Sequence, residues 1–175
     1  MTSKQKSHNK TTIKIAPDAP QSKRKGFQKK SRGNVPHKVK QPSKSTIKLK
    51  AWYAFSKFIR TRDCIRTTGN PDKGKCITCG EIFNFKDLQA GHFIPGRHNS
   101  NLFSERGVHA QCRSCNIWNH GRPLEYRRAI IELYGDGADE LLEEEAKRIK
   151  KYSIEDLQDI AEQYKNKYQE LLKKT

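Results

Sequence analysis

Four of the five cysteines form two Cys-x-x-Cys pairs, a spacing that can bind a metal ion. Cys76 and Cys79 make the first pair, Cys112 and Cys115 make the second, and 32 residues separate the pairs. Each pair can present two thiolates from one tight turn, so together they supply the four ligands of a closed tetrahedral Zn²⁺ site. Gly80 suits the sharp backbone turn that follows the first pair. The pattern predicts a structural zinc ion, with an iron–sulfur cluster or a redox function as alternatives.

The rest of the chain is consistent with reduced, metal-binding thiols. The first ten residues lack the apolar segment of a secretory signal, and no uncharged apolar run approaches the roughly 18 residues that span a bilayer. We therefore expect a soluble protein of the cytoplasm, where thiols bind metals more often than they form disulfides. Cys64, the unpaired cysteine, is expected to be an ordinary unligated thiol.

The order of the motifs resembles a class of nucleases. A histidine in the first predicted strand, Ala-Gly-His92, lies between the cysteine pairs, and the second pair is followed directly by Asn116. This order resembles the zinc-bound HNH (ββα-metal) endonucleases, which include phage enzymes that resolve branched DNA. Further motifs are Phe58-Ile-Arg-x-Arg-Asp63, Phe-Ser-Glu-Arg106, His-x-Gln-Cys112 and Tyr126-Arg127. With them, residues 51–172 resemble the NinG (Rap) family of lambdoid phage recombination proteins.

The resemblance implies a structure-specific DNA endonuclease that acts on Holliday junctions and D-loops. His92 occupies the position of the general base that activates water. Asn116 would offer a carbonyl oxygen to a catalytic Mg²⁺ or Mn²⁺ ion, which carries charge on the scissile phosphate. From the residues alone, the alternative for His92 is a surface histidine, and Asn116 is equally suited to be a helix cap.

One position departs from the resembled pattern. Many HNH enzymes carry Asp or His immediately before the base to hold the metal, whereas this chain has Gly91. A second metal ligand must therefore come from elsewhere. His109, in the His-x-Gln-Cys motif, is the first candidate, and Glu105, Asp87 and His98 follow. Because alternate strand residues share a face, His109 and Glu105 could instead contact phosphate or stabilise a loop.

Positive charge is concentrated at the start of the chain and indicates a polyanionic partner. Of the formal net charge of +17, residues 1–50 contribute +14, from 15 Lys and Arg against one Asp. Such charge binds nucleic acid by displacing counterions, and the segment lacks the apolar spacing of a membrane-surface helix. The predicted contacts in this segment are Lys23, Arg24 and Lys25, and those around the cysteine motifs are Arg97, Arg106 and Arg113. The alternative is that these charges only solubilise the protein.

Composition and periodicity predict an α+β fold. Residues 1–44, rich in Lys, Ser, Gln and Pro, form a disordered basic tail, and residues 45–175 form the folded domain. We expect a helix from Ile47 to near Asp63, strands over 81–89 and 105–111, and helices over about 123–135 and 137–150. A capping box at Ser153 begins the last helix, whose apolar stripe from Leu157 to Leu171 is either core or a partner-helix surface. The resemblance makes this a small zinc-clamped ββα-metal core flanked by helices.

Branched DNA is the expected partner of the folded domain. The near two-fold symmetry of a four-way junction suggests a homodimer, with the stripe of the last helix as its contact. Other phage recombination proteins in the bacterial host cytoplasm are further expected partners. The alternative function is a non-catalytic zinc module that binds DNA and recruits another enzyme. A sequence-specific regulator is less favoured, because the chain has no recognisable recognition-helix motif.

Overall fold

The computed structural model describes residues 41–174, which form a mixed α+β fold as predicted. The helices are α1 (Lys44–Thr68), α2 (Pro123–Tyr134), α3 (Ala138–Lys147) and α4 (Ile154–Lys173). The strands are β1 (Lys73–Lys75), β2 (Ile82–Asn84), β3 (Leu88–His92) and β4 (Val108–Cys112). A 3₁₀ turn (Phe85–Asp87) precedes β3, and a π-helical turn (Ser114–Trp118) follows β4. Among these helices, none is long and apolar enough to span a membrane.

The predicted tail, residues 1–44, falls almost entirely outside the described part of the chain. Helix α1 begins where this tail was expected to end, and Ser43 Oγ caps it by accepting a hydrogen bond from the Thr46 N–H (3.3 Å). The predicted end of α1 near Asp63 is wrong, because Gly69 supplies the left-handed conformation that ends the helix. Gly69 has a φ of +71°, and its N–H donates to the Ile65 carbonyl (2.8 Å).

The strands form two separate antiparallel pairs, β1 with β2 and β3 with β4. In the β3–β4 hairpin, Leu88 lies opposite Cys112 and His92 lies opposite Val108. The single strand predicted over 81–89 is wrong, because the 3₁₀ turn redirects the chain from one pair to the other. The strand predicted over 105–111 begins later, since a turn precedes it in which the Gly107 N–H donates to Ser104 Oγ (3.1 Å).

Helix α4 packs along α1 and fills the main hydrophobic core with it. Phe55 of α1 meets Tyr164 of α4 edge-on, with ring centroids 4.8 Å apart. Leu157 is fully buried at the start of α4. The predicted stripe of the last helix therefore faces α1 at Leu157 and Tyr164. This packing favours the core alternative over a surface for a partner helix.

The helix ends after the hairpin follow local sequence signals. Pro123 begins α2 and Gly135 ends it, as predicted. Helix α3 ends at Lys147, slightly before the predicted boundary. Ser153 and Asp156 form the predicted capping box: Ser153 Oγ accepts from the Asp156 N–H (3.0 Å), and the Ser153 N–H donates to Asp156 Oδ2 (2.8 Å).

Candidate metal centre and active site

The four predicted zinc ligands come together beside the β3–β4 hairpin. The Sγ atoms of Cys76, Cys79, Cys112 and Cys115 all lie within 4.8 Å of one another. Zn–S bonds of about 2.3 Å in a tetrahedron place the sulfur atoms about 3.8 Å apart, so the cluster is compatible with Zn²⁺. Four thiolates leave no open position on the ion, which would therefore be structural.

Backbone hydrogen bonds shape the two cysteine turns. The Gly80 N–H donates to the Cys76 carbonyl (2.9 Å), and Gly80 has a φ of +75°, which is why glycine suits this turn. The Cys115 N–H donates to Cys112 Sγ (3.4 Å), and the Cys112 N–H reaches across to Cys76 Sγ (3.3 Å). Donors aimed at sulfur stabilise the thiolate form, so the turns favour cation binding.

The thiols of the cluster ionise unequally. Burial opposes ionisation of Cys76, but hydrogen bonds from Thr78 and the Cys112 N–H outweigh it and lower the pKa of Cys76 to about 7. Burial raises the pKa of Cys79 to about 12. Because thiolates repel one another, all four ionise together only around a cation. Cys64 stands outside the cluster, and burial raises its pKa to about 11, as expected for an unligated thiol.

A cavity of about 380 Å³ lies between β3 and the π-helical turn. His92 lines it from the end of β3, Asn116 from the π-helical turn, and Arg97 from the loop after β3. His120, which has no predicted role, lines the same cavity. The fold thus brings together three of the residues predicted to act on DNA, in a space large enough for a phosphate group and a hydrated ion.

The His92 side chain is largely buried and neutral at neutral pH. Its ring stacks on Trp52 of α1, with centroids 5.2 Å apart and planes 16° from parallel. Burial lowers the pKa of His92 to about 4, although a hydrogen bond with the backbone of Leu102 opposes this, and the charge of Arg97 lowers it further. Nε2 is buried and has no hydrogen-bond partner within residues 41–174. A neutral imidazole with a free nitrogen can accept a proton.

Asn116 lies beside the position that departs from the HNH pattern. Its Nδ2 donates to Gln89 Oε1 (2.7 Å), which holds the side chain against β3. A Cβ atom at Gly91 would lie 3.1 Å from Asn116 Oδ1 and would overlap the side chain of Gln111. Gln111 therefore occupies the space next to Asn116 that a side chain at position 91 would otherwise fill.

The structure does not bring His109 to the cavity. Its side chain is completely buried on β4, with Nδ1 3.0 Å from Asp63 Oδ2 and Nε2 3.2 Å from the Tyr134 hydroxyl. Burial lowers the pKa of His109, in spite of the hydrogen bond with Asp63. These contacts place His109 in the packing of β4 between α1 and α2. The fold therefore does not bring His109 together with His92 and Asn116, because α2 covers its face of the strand.

The other candidates for a second metal ligand do not line the cavity either. Glu105 accepts a hydrogen bond from the Tyr164 hydroxyl of α4 (3.0 Å). Asp87 Oδ2 accepts one from Asn84 Nδ2 (3.4 Å). Neither these two residues nor His98 belongs to the cavity lining.

The predicted nucleic-acid contacts are not all at the cavity. Arg97 lines it, whereas the Arg106 guanidinium lies over the Tyr134 ring (5.1 Å to the centroid). The Arg113 guanidinium lies 5.8 Å from the ring centroid of Trp118, whose side chain is exposed on the π-helical turn. The tail residues Lys23, Arg24 and Lys25 are outside the described residues.

Sequence reasoning missed a buried ionic group around Asp63. Its carboxylate accepts from the Ala110 N–H (2.7 Å) and pairs with Arg62 (2.8 Å). Burial opposes its ionisation, but the contacts with His109 and Arg62 hold the pKa of Asp63 well below its usual range. The sequence feature that could have predicted this group is the position of Asp63, four residues after Ile59 on the apolar stripe of α1. A carboxylate on a buried face requires partners.

The fold and the cysteine cluster define a small α+β protein with four cysteines placed so that they could hold a metal ion, and comparison with known proteins names its family. The chain matches the family model of the bacteriophage lambda NinG protein over residues 1–174. It is 31% identical over 122 residues to protein ninG of Salmonella phage P22. It is 30% identical over 122 residues to protein ninG of Escherichia phage lambda and to that of Escherichia phage 933W. The chain belongs to the NinG family of phage proteins.

These alignments cover only part of each relative. They include 69% of this chain and 55% of the P22 and lambda proteins, so the chain spans about half the length of the curated relatives it matches. No solved structure matches the chain. Family membership confirms the NinG resemblance, whereas the HNH assignment remains a prediction.

Proposed function

We propose that this protein is a metal-dependent endonuclease of HNH type that cleaves branched DNA during phage recombination. One observation carries the proposal: His92, with a neutral ring and an unpartnered Nε2, lines the same cavity as Asn116. The motif order that resembles HNH enzymes and the membership of the NinG family support it. Holliday junctions and D-loops are the substrates that the resemblance implies.

In this proposal His92 is the general base. The neutral imidazole accepts a proton from the attacking water, and its lowered pKa keeps it unprotonated at neutral pH. The stack on Trp52 fixes the plane of the ring. The Arg97 guanidinium at the cavity binds the scissile phosphate. The resemblance implies products with 5′-phosphate and 3′-hydroxyl ends.

Asn116 would hold the catalytic Mg²⁺ or Mn²⁺ ion. An amide carbonyl oxygen suits such hard cations, and Asn116 lies at the cavity wall. When bound, the ion stabilises negative charge on the phosphate and on the leaving oxygen. A zinc ion held by the four cysteines would stabilise the base of the hairpin and would take no part in the reaction at the cavity.

In this proposal the protein recognises the shape of branched DNA. Contacts from Arg97 and Arg113 to the DNA backbone would position the substrate without reading its sequence. A homodimer would match the two-fold symmetry of a four-way junction. Because α1 covers Leu157 and Tyr164 of α4, the dimer contact would use another surface than the one first expected. The site of action would be the cytoplasm of the host cell.

A second candidate function is a non-catalytic zinc module that binds branched DNA and recruits another enzyme. The observation that favours it is the composition of the cavity wall. Within the described part of the chain, the residues that line the cavity include no Asp or Glu, the residues that most often hold Mg²⁺.

A cleavage assay on a synthetic four-way junction separates the two functions. The zinc-loaded full chain is incubated with the junction or a linear duplex of the same sequence, in Mg²⁺ or Mn²⁺. The endonuclease proposal predicts cutting of the junction, loss of cutting with retained binding in His92→Ala, and normal cutting in His98→Ala, an exposed histidine outside the cavity. Wild type that binds the junction without cutting it would contradict the proposal and support the recruitment module.

A further inference from the structure

The side chain of Gln111 lies buried directly beside Gly91. It is 0% exposed, and it fills the space in which a Cβ atom at position 91 would stand. The same Cβ position is 3.1 Å from Asn116 Oδ1. Gln111 Oε1 and Asn116 Oδ1 therefore both lie close to one point on β3, and glycine at position 91 leaves them room.

Hydrogen bonding fixes the orientation of the Gln111 amide. Nε2 donates to the Gly121 carbonyl (2.8 Å), which can only accept, and lies 3.2 Å from Thr78 Oγ1. The nitrogen must therefore point to Gly121, and Oε1 must point to Gly91. Oε1 is buried and receives no hydrogen bond from the described residues. A buried carbonyl oxygen without a donor is costly, and it marks a place where an ion or water is expected.

We propose that Gln111 Oε1 is the second protein ligand of the catalytic divalent cation, together with Asn116 Oδ1. This inference rests on the proposed nuclease function and names the ligand that Gly91 cannot provide. Two neutral amide oxygens suit Mg²⁺ or Mn²⁺, which keep several waters and need few protein ligands. Without a carboxylate the site holds the ion weakly, so it is filled at millimolar rather than micromolar metal concentration.

Binding of Mn²⁺ itself tests the assignment without any cleavage. Free Mn²⁺ is followed by electron paramagnetic resonance on the zinc-loaded full chain, because this hard cation does not replace zinc on thiolates. Gln111→Met and Gln111→Glu both lose the hydrogen bond donated to Gly121, but only the glutamate keeps an oxygen at the ligand position. We expect Mn²⁺ affinity to fall roughly tenfold or more in Gln111→Met and to be retained or increased in Gln111→Glu. Equal affinities in the two variants would overturn the inference.

A second measurement uses the wild type, so its result does not depend on whether the variants fold. With ¹⁵N-labelled protein, diamagnetic Mg²⁺ should shift the side-chain amide signals of both Gln111 and Asn116 and leave the exposed amide of Asn119 unchanged. A shift of the Asn116 signal with an unchanged Gln111 signal would overturn the proposal.

A further test moves the proposed ligand from position 111 to position 91. Gly91→Asp alone would overlap Gln111 and destabilise the hairpin, whereas Gly91→Asp combined with Gln111→Ala places a carboxylate in the vacated space. The double variant should bind Mn²⁺ at least as tightly as the wild type. Affinity no better than that of Gln111→Ala would contradict a shared ligand position.

The outcomes distinguish this inference from the nuclease proposal. If the wild type cuts junctions while Gln111→Met binds Mn²⁺ normally, the ligand assignment fails and the function stands. If Mn²⁺ binds through Gln111 but no branched DNA is cut, the function fails and the metal site stands.

Discussion

His92 lies flat against Trp52, with their ring centroids 5.2 Å apart. Trp52 belongs to α1, and His92 ends β3, so the long first helix fixes the side chain that we propose as the general base. The Arg97 guanidinium lies 4.8 Å from the centroid of the same indole ring. Through Trp52, helix α1 therefore supports two residues that line the candidate active site, and it also packs in the core.

Trp52 should control the protonation of His92. Trp52→Phe keeps an aromatic ring but admits water to the imidazole, so we expect the pKa of His92 to rise from about 4 towards its ordinary value. Trp52→Ala should in addition cost about 3–5 kcal/mol of stability. An NMR titration of the His92 ring measures the pKa. Trp118→Phe, at an exposed tryptophan, is the matched control and should leave it unchanged. A pKa that stays at about 4 in Trp52→Phe would contradict this role.

The pH profile of cleavage should differ from that of an exposed histidine. With a pKa of about 4, the His92 base form persists well below neutrality, so kcat/KM should change less than about twofold between pH 7.5 and pH 6. A base with the usual pKa of about 6.5 would be about three quarters protonated at pH 6. Junction cleavage at several pH values measures the profile. A fall in kcat/KM of about fourfold over this range would contradict the lowered pKa and indicate a base with the usual histidine pKa.

Asp63 should be a major source of stability. Asp63→Asn leaves Arg62 without its buried counter-charge and His109 without its carboxylate partner, and it should cost about 3–5 kcal/mol in urea unfolding. The folded-state pKa of Asp63 is depressed, so its contribution is present above the unfolded value of about 3.9 and is lost as the pH falls further. The stability difference between wild type and variant should therefore shrink in acid. Asp159→Asn, at an exposed position, is the control, and an equal loss there would refute the assignment.

Zinc should be required for folding of the hairpin region. Elemental analysis should find one zinc ion per chain, and Cys112→Ser should lose both the ion and the cooperative thermal transition. Cys64→Ala removes a cysteine outside the cluster and should keep the zinc. Loss of zinc from both variants, or from neither, would argue against a four-cysteine site.

Local spacing predicted the cysteine cluster well, because each Cys-x-x-Cys turn is determined by a few neighbouring residues. The capping box at Ser153 and the bounds of α2 at Pro123 and Gly135 were predictable for the same reason. Their geometry depends on the chain within a few residues, and tertiary packing changes it little.

Burial was harder to predict, because it depends on contacts between distant segments. Strand alternation placed His109 and Gln111 on one face of β4, but it could not show that α2 covers that face. For the same reason Gln111 was not recognised as a neighbour of Gly91. The split of the predicted first strand also depended on the β1–β2 pair, which the local pattern does not reveal.

The most direct test of the proposed nuclease function is the single-turnover rate of junction cleavage by His92→Ala, with and without added imidazole. We expect the variant to bind the junction like the wild type and to cut it at least about a hundredfold more slowly. Imidazole should restore part of the rate by entering the space left beside Trp52. A variant that cuts at the wild-type rate would contradict the proposal that His92 is the general base.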